Sequence, residues 1–248
     1  MTRRRWIAER WDEATATLVG ANAEHLIRVL RAQPGTEADV VAGGRVFHAA
    51  VAAIEESGEG RSEVRFTLVA EIEAEPALAI TLVMSIYKFD RMEWALEKAT
   101  ELGVARIVPV IARRSEKHLA QAAAKRVERW RRVVHEAAQQ SRRADVPLLG
   151  EPVLLSAQIK SESDAMRLVL AEQERATTLH TALEEAMDAA GKTMPSLEIA
   201  IGPEGGWAPE EEALFDAHGW RAVSMGPRIL RAETAAIAAL AVAASMLE

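Results

Sequence analysis

Residues 197–235 decide how the chain is read: LEIAIGPEGGW (197–207), APEEEALFDAHG (208–219) and WRAVSMGPRILRAETA (220–235). LEIAI is a short apolar run that stops at Gly202-Pro203-Glu204-Gly205-Gly206. Pro209-Glu210-Glu211-Glu212 then reads as the first turn of a helix, with proline where a helix tolerates it and carboxylates where the macrodipole favours them. A second strand, RAVSM, runs into a second interrupted loop, Gly226-Pro227-Arg228-Ile229-Leu230-Arg231, and a last helix begins near Glu233. Two strands thus end in two glycine-bearing loops. In an open α/β sheet, small ligands bind in loops at the carboxyl ends of strands.

Glycine lets backbone amides and carbonyls come close to a ligand, so GPEGG suits something flat or narrow. It lacks the Gly-Lys-Ser/Thr ending of a Walker loop and is not GxGxxG. Glu204, in mid-loop, would repel a polyphosphate, so a neutral or cationic ligand fits better. Taken alone, the same residues equally suit a tight structural turn before a helix.

Working outward, element types alternate from Glu75-Pro76 onward, which predicts a mostly parallel sheet of five or six strands with helices on both faces. LAITLVMSI is a continuous apolar run, as a strand covered on both sides should be. RMEWALEKATELG follows, with Met92, Ala95, Leu96, Ala99 and Leu102 on one helical face and Gly103 as its stop. ARIVPVI and AMRLVLA are further strands, residues 118–142 a long helix, and LHTALEEAMDAAG a helix ended by Gly191. Residues 1–75 have another rhythm, short alternating stretches split by Gly, Pro and Asn, as in a small β-barrel. AEHLIRVLRAQPG (23–35) is the exception there, a helix with Leu26, Val29 and Leu30 on one face.

Composition narrows the class. The 248 residues are 49% apolar and include no cysteine, so disulfides and thiolate metal sites are excluded and a cytoplasmic protein is the default. No run approaches the length of a membrane span. The net charge of −7 argues against nucleic acid at first sight, but its distribution is uneven. Residues 125–143 carry seven basic side chains against two acids, and Arg3-Arg4-Arg5 and Arg113-Arg114-Lys117 are further clusters. One RNA-facing side would explain this, and so would a solvated helix face. The six histidines are scattered singly, without metal-ligand spacing.

The two loops in order, IGPEGGW and MGPRILRAETA, resemble the C-terminal signature of the RsmE family, bacterial small-subunit ribosomal RNA uridine N3-methyltransferases of the SPOUT class. KFDRMEWALEKATELGVARIVPVIARRS (88–115) and RWRRVVHEAAQQSRRADVP (129–147) resemble two further blocks of that family. The resemblance implies an α/β fold with two domains. One is a PUA-like β-barrel that holds RNA, over 1–75, and the other a SPOUT methyltransferase domain over 76–248, with a mostly parallel sheet and a trefoil knot. It implies an obligate homodimer, S-adenosylmethionine as cofactor, no metal, no membrane, and 16S ribosomal RNA within the small subunit as partner.

The same resemblance places the cofactor against Leu170, Ile201, Gly202, Pro203, Glu204, Gly205, Met225, Gly226, Ile229 and Leu230. Plain core packing would account for the apolar members among them. RNA contacts are expected from Arg114, Arg129, Gln140 and Arg143 in the middle blocks, and from Arg28 and Arg31 in EHLIRVLR. Arg143 has an alternative structural role, pairing with a carboxylate near the dimer interface, and Arg28 and Arg31 equally suit an ordinary surface helix. Methyl transfer needs positioning, a free lone pair and shielding from water. If N3 of uridine is the acceptor, its proton must leave and the base anion wants a cationic partner. Arg231 and Glu233 are the right types for charge stabilisation and proton acceptance. The rival readings are a SPOUT methyltransferase for another RNA and an inactive dimeric RNA-binding or assembly factor.

Overall fold

The computed structural model describes residues 4–56, 62–189, 191 and 196–247, so Arg3 of the basic triplet lies outside the described residues. Two compact units emerge. One runs up to Pro76 and includes Ala138–Val146; the other comprises Ala77–Ala137 and the chain from Pro147.

The first unit is a six-stranded sheet curled into a half-barrel, PUA-like as expected. Its strands are β1 (Trp6–Ile7), β2 (Arg10–Trp11), β3 (Thr15–Val19), β4 (Glu37–Ala42), β5 (Arg45–Glu55) and β6 (Glu63–Ile72), in the order β1-β4-β5-β6-β3-β2. All neighbours are antiparallel except β1 and β4. Register shifts between β5 and β6, at His48/Ala49 and Val51/Ala53, add the local twist that curls the sheet. Alternate residues turn inward, so Trp6, Leu18, Val40, Val51, Val64 and Phe66 share one core. Asp39 is also buried, and both its oxygens are engaged, by His48 Nδ1 at 2.9 Å and Arg142 Nη2 at 2.7 Å. Without those partners, burying a carboxylate there would be costly.

The segment expected as a regular helix departs from expectation. It is α1 (Ala21–Glu24) followed by a π-helical turn, His25–Val29, in which Leu30 N donates to His25 O. The wider turn breaks the 3.6-residue period. Leu26 stays buried, but Val29 and Leu30 become 62% and 44% exposed instead of sharing its face.

The second unit carries a seven-stranded sheet in which every pairing is parallel. In chain order the elements are β7 (Leu78–Ser85), α2 (Phe89–Glu101), β8 (Val104–Ile111), α3 (Lys117–Ala123), α4 (Val127–Gln140), β9 (Leu148–Leu149) and β10 (Val153–Leu154). There follow α5 (Leu155–Ile159), β11 (Met166–Leu170), α6 (Leu179–Ala189), β12 (Leu197–Ile201), α7 (Pro209–Ala217), β13 (Arg221–Val223) and α8 (Ala232–Leu247). The sheet order is β10-β8-β7-β12-β11-β13, with β9 also on β8.

Alternation explains the two layers of helices. Leu82, Met84, Ile199 and Ile201 face one side, where α2, α4, α6 and α8 cover them. Val83, Val169 and Ala200 face the other, under α5, α7 and an edge-to-face chain of rings, Trp207 on Phe215 at 4.9 Å and Phe215 on Trp220 at 5.3 Å. The helix expected over residues 118–142 is two helices joined by a 3₁₀ turn at Ala124–Arg126. The tighter turn keeps both Ala123 and Val127 on the core while Lys125 faces out. The small-residue face of α8 is buried within its own chain, against α2, α6, β7 and β12.

Candidate active site

Strands β12, β11 and β13 lie side by side and end at Ile201, Leu170 and Val223. The segments that leave them, 171–178, 202–208 and 224–231, surround a cavity of about 400 Å³. The strand periodicity puts the three ends level, and the loop chemistry then shapes the space between them.

The 202–208 loop is fixed at both ends. Gly206 N donates to Pro203 O at 2.9 Å, closing the turn. The buried Trp207 indole reaches across to the end of β11, where its N–H donates to Leu170 O at 2.9 Å. Gly202 makes room for that indole, because a Cβ there would stand 3.3 Å from the ring. Beyond it, Glu211 accepts from Ala208 N at 2.9 Å and Arg113 N at 2.7 Å, closing the first turn of α7 and tying it to the segment after β8.

The 224–231 loop joins the sheet edge through Ser224, whose N–H donates to Thr177 O and whose carbonyl accepts from Leu179 N, each at 2.9 Å. Gly226 N donates to Ser224 Oγ at 3.0 Å with φ of 105°, a conformation that favours glycine. In the third segment, the Thr177 and Ala176 amides donate to Glu174 and hold its carboxyl below the usual range.

All ten residues expected against a cofactor line this one cavity, and so do Arg231 and Arg114. Glu233 is not among the lining residues. It sits in the first turn of α8, 5% exposed, with Oε1 3.8 Å from Arg91 Nε and Oε2 without a hydrogen-bond partner. Arg91 itself lines the cavity and donates from Nη1 to Glu204 Oε1 at 2.6 Å. Burial, with Glu233 and Glu204 nearby, pushes the Tyr87 phenol up, so it stays protonated. The cavity therefore combines apolar walls (Ile201, Val223, Met225, Leu230), carboxylates (Glu172, Glu204, Glu212) and guanidinium groups. A molecule with a flat ring, a positive centre and a carboxylate would find a partner for each part.

The arginines expected to meet RNA are placed more variously. Arg28 and Arg31 are exposed on and after the π-helical turn, Arg31 with φ of 54°. Arg114 Nη1 donates to Gly205 O at 2.9 Å and so braces the loop. Arg129 grips Glu93 with two hydrogen bonds of 2.7 and 2.8 Å. Arg143 is 8% exposed and pairs with Asp145 at 2.6 Å, two positions along its own chain. Gln140 is exposed at the end of α4. Arg91 and Trp207 were missed by sequence reasoning although both lie inside the quoted stretches; an indole directly after Gly-Gly, needing a partner for its N–H, was the available signal. Among the described residues no cluster of His, Asp and Glu could hold a metal, and no helix is long and apolar enough to cross a membrane.

The family model described as an RNA methyltransferase domain matches residues 74–244. The ribosomal RNA small subunit methyltransferase E of Synechocystis sp. is 32% identical over 97% of this chain and 76% of its own length. That of Mycobacterium bovis is 35% identical, over 92% and 85%. The crystal structure of the Neisseria gonorrhoeae ribosomal RNA small subunit methyltransferase E bound to S-adenosyl methionine superposes with a TM-score of 0.81 at 31% identity, covering 98% of this chain and 97% of that one.

Proposed function

The chain belongs to the ribosomal RNA small subunit methyltransferase E family, and on that premise we propose that it methylates N3 of a uridine in 16S ribosomal RNA. Its cofactor is S-adenosylmethionine. The observation that carries the reading is the convergence of all ten cofactor candidates and Arg231 on one cavity at the carboxyl edge of three parallel strands.

The cavity fits the cofactor. Its volume of about 400 Å³ lies within the range of small-molecule sites. Ile201, Met225 and Leu230 offer apolar walls for the adenine, and the 202–206 and 224–230 segments offer main-chain groups for the nucleoside. Glu172, Glu204 and Glu212 suit its cationic centres, and the arginines its carboxylate. When bound, S-adenosylmethionine supplies an electrophilic methyl group on a positively charged sulfur.

The chain's own residues then have three tasks. The loops bind and orient, which converts a bimolecular encounter into a positioned one. Trp207 and the apolar walls exclude water from behind the site. Arg231, on the cavity wall, holds the negative charge that spreads over the uracil once the N3 proton has passed to bulk water at the open side of the cavity. Glu233, expected as a proton acceptor, is assigned here to holding Arg91, because it stands behind the wall. The proposal further includes the homodimer, the knotted domain over 76–248, the RNA-holding domain over 1–75, a cytoplasmic location and RNA contacts from Arg28, Arg31 and Gln140.

The test is transfer of radiolabelled methyl from S-adenosylmethionine to small subunits lacking the modification, followed by nucleoside analysis. N3-methyluridine is the expected product. Label in another nucleoside, or none with cofactor binding intact, would overturn the assignment of the acceptor.

A further inference from the structure

We propose that Arg91 is a positioning residue that sets the geometry of the 202–206 loop, with Glu204 as its grip and Glu233 as its buried anchor. The inference rests on the reading of the cavity as an S-adenosylmethionine site. Arg91 stands in the first turn of α2, on a different element from either carboxylate. Its Nη1 donates to Glu204 Oε1 at 2.6 Å, in the middle of the glycine loop, and its Nε faces Glu233 Oε1 at 3.8 Å, at the start of α8. One guanidinium therefore links the loop after β12 to the helix that follows the loop after β13.

Charge makes the arrangement necessary. The Glu233 side chain is 7% exposed and its second oxygen has no hydrogen-bond partner, so Arg91 supplies the nearby positive charge that its burial demands. With one end of the guanidinium held in this way, the other is presented to Glu204 at a fixed place. Glu204 is 35% exposed and lies between Pro203 and Gly205, in the turn that Gly206 N closes on Pro203 O. The charge-assisted hydrogen bond at 2.6 Å ties that turn to α2, a tether that its internal hydrogen bond does not provide. Arg114 braces the same loop from the β8 side, through Gly205 O at 2.9 Å, so the loop is held between two guanidinium groups.

The experiment compares the Arg91→Gln, Arg91→Lys, Glu204→Gln and double Arg91→Gln/Glu204→Gln variants with the native protein. Two readouts are taken: calorimetric affinity for S-adenosylmethionine, and amide hydrogen exchange at Gly205 and Gly206 in the unliganded protein. Arg91→Gln is expected to weaken affinity by about tenfold or more, the loss of one charge-assisted bond. Exchange at the two glycine amides should accelerate while melting stays cooperative. Arg91→Lys should recover most of both. The double variant should be no worse than Arg91→Gln alone, since both substitutions remove the Arg91–Glu204 bond and only Arg91→Gln also takes the charge from beside Glu233. Strictly additive losses, or unchanged exchange in Arg91→Gln, would overturn the proposal. Native protein that fails to bind S-adenosylmethionine would sink the reading of the site instead, and the exchange rates would still decide the role of Arg91.

Discussion

Two glycines on the cavity wall give opposite expectations for the same substitution. Gly226 has φ of 105°, and a Cβ built there would meet nothing within 4 Å. Gly226→Ala therefore adds no clash, and its whole effect is backbone strain, about 1–3 kcal/mol for an L residue held in such a conformation. Gly205 does not have a left-handed φ, and its Cβ would touch Arg114 Cβ at 3.5 Å and Cδ at 3.6 Å, ordinary contact distances. Gly205→Ala should cost almost nothing. The strain at 226 has two outlets. If the loop keeps its shape, melting falls by roughly 2–4 °C per kcal/mol for a chain of this size. If the loop relaxes instead, its cavity-lining atoms move and the loss appears in cofactor affinity, about tenfold for each 1.4 kcal/mol. Calorimetry with S-adenosylmethionine and a thermal melt on both variants capture the sum. The reasoning is refuted if Gly226→Ala matches the native protein in both readouts, or if Gly205→Ala is the more damaged of the two.

Other perturbations follow from the same geometry. Gly205→Val keeps the tolerant backbone but adds a branched isopropyl group at the cavity wall, so cofactor binding should be lost while melting stays cooperative; native affinity in calorimetry would contradict this. Arg231→Ala should retain cofactor affinity and lose methyl transfer, and normal turnover in that variant would remove Arg231 from the mechanism. Trp207→Phe removes the donor to the half-buried Leu170 carbonyl, at a cost of about 0.5–1.5 kcal/mol. That variant should melt lower and bind cofactor more weakly; an unchanged melt would show the bond contributes nothing.

The fold and the cavity were largely legible in the sequence because their signals are local. LEIAI, ending at Gly-Pro, announces a buried strand and a turn, and all five of its residues are buried. Pro209 and the three glutamates mark the start of α7 where the structure has it. Local signals also mislead, as at His25–Val29, where reading Leu26, Val29 and Leu30 as one face assumed a period that the π-helical turn does not keep. What the sequence could not disclose is pairing between distant residues. Arg129 meets Glu93 from 36 positions away, and Arg91 meets Glu204 from 113. A basic run therefore looks like a free cationic surface when several of its members are already engaged. Glu233 illustrates the converse, since its residue type suited catalysis but its burial placed it behind the wall.

The strand order also has a consequence for the birth of the molecule. β11 pairs only with β12 and β13, so residues 166–170 have no sheet neighbour until residues 197–201 have been synthesised and inserted beside β7. Contacts between strands so far apart in sequence close slowly. The ligand cavity, which needs the ends of all three, cannot form until β13 has joined β11. A nascent chain halted before Gly226 would carry Leu170 and the 202–206 loop but lack Gly226, Ile229, Leu230 and Arg231, so one wall of its ligand cavity would be missing.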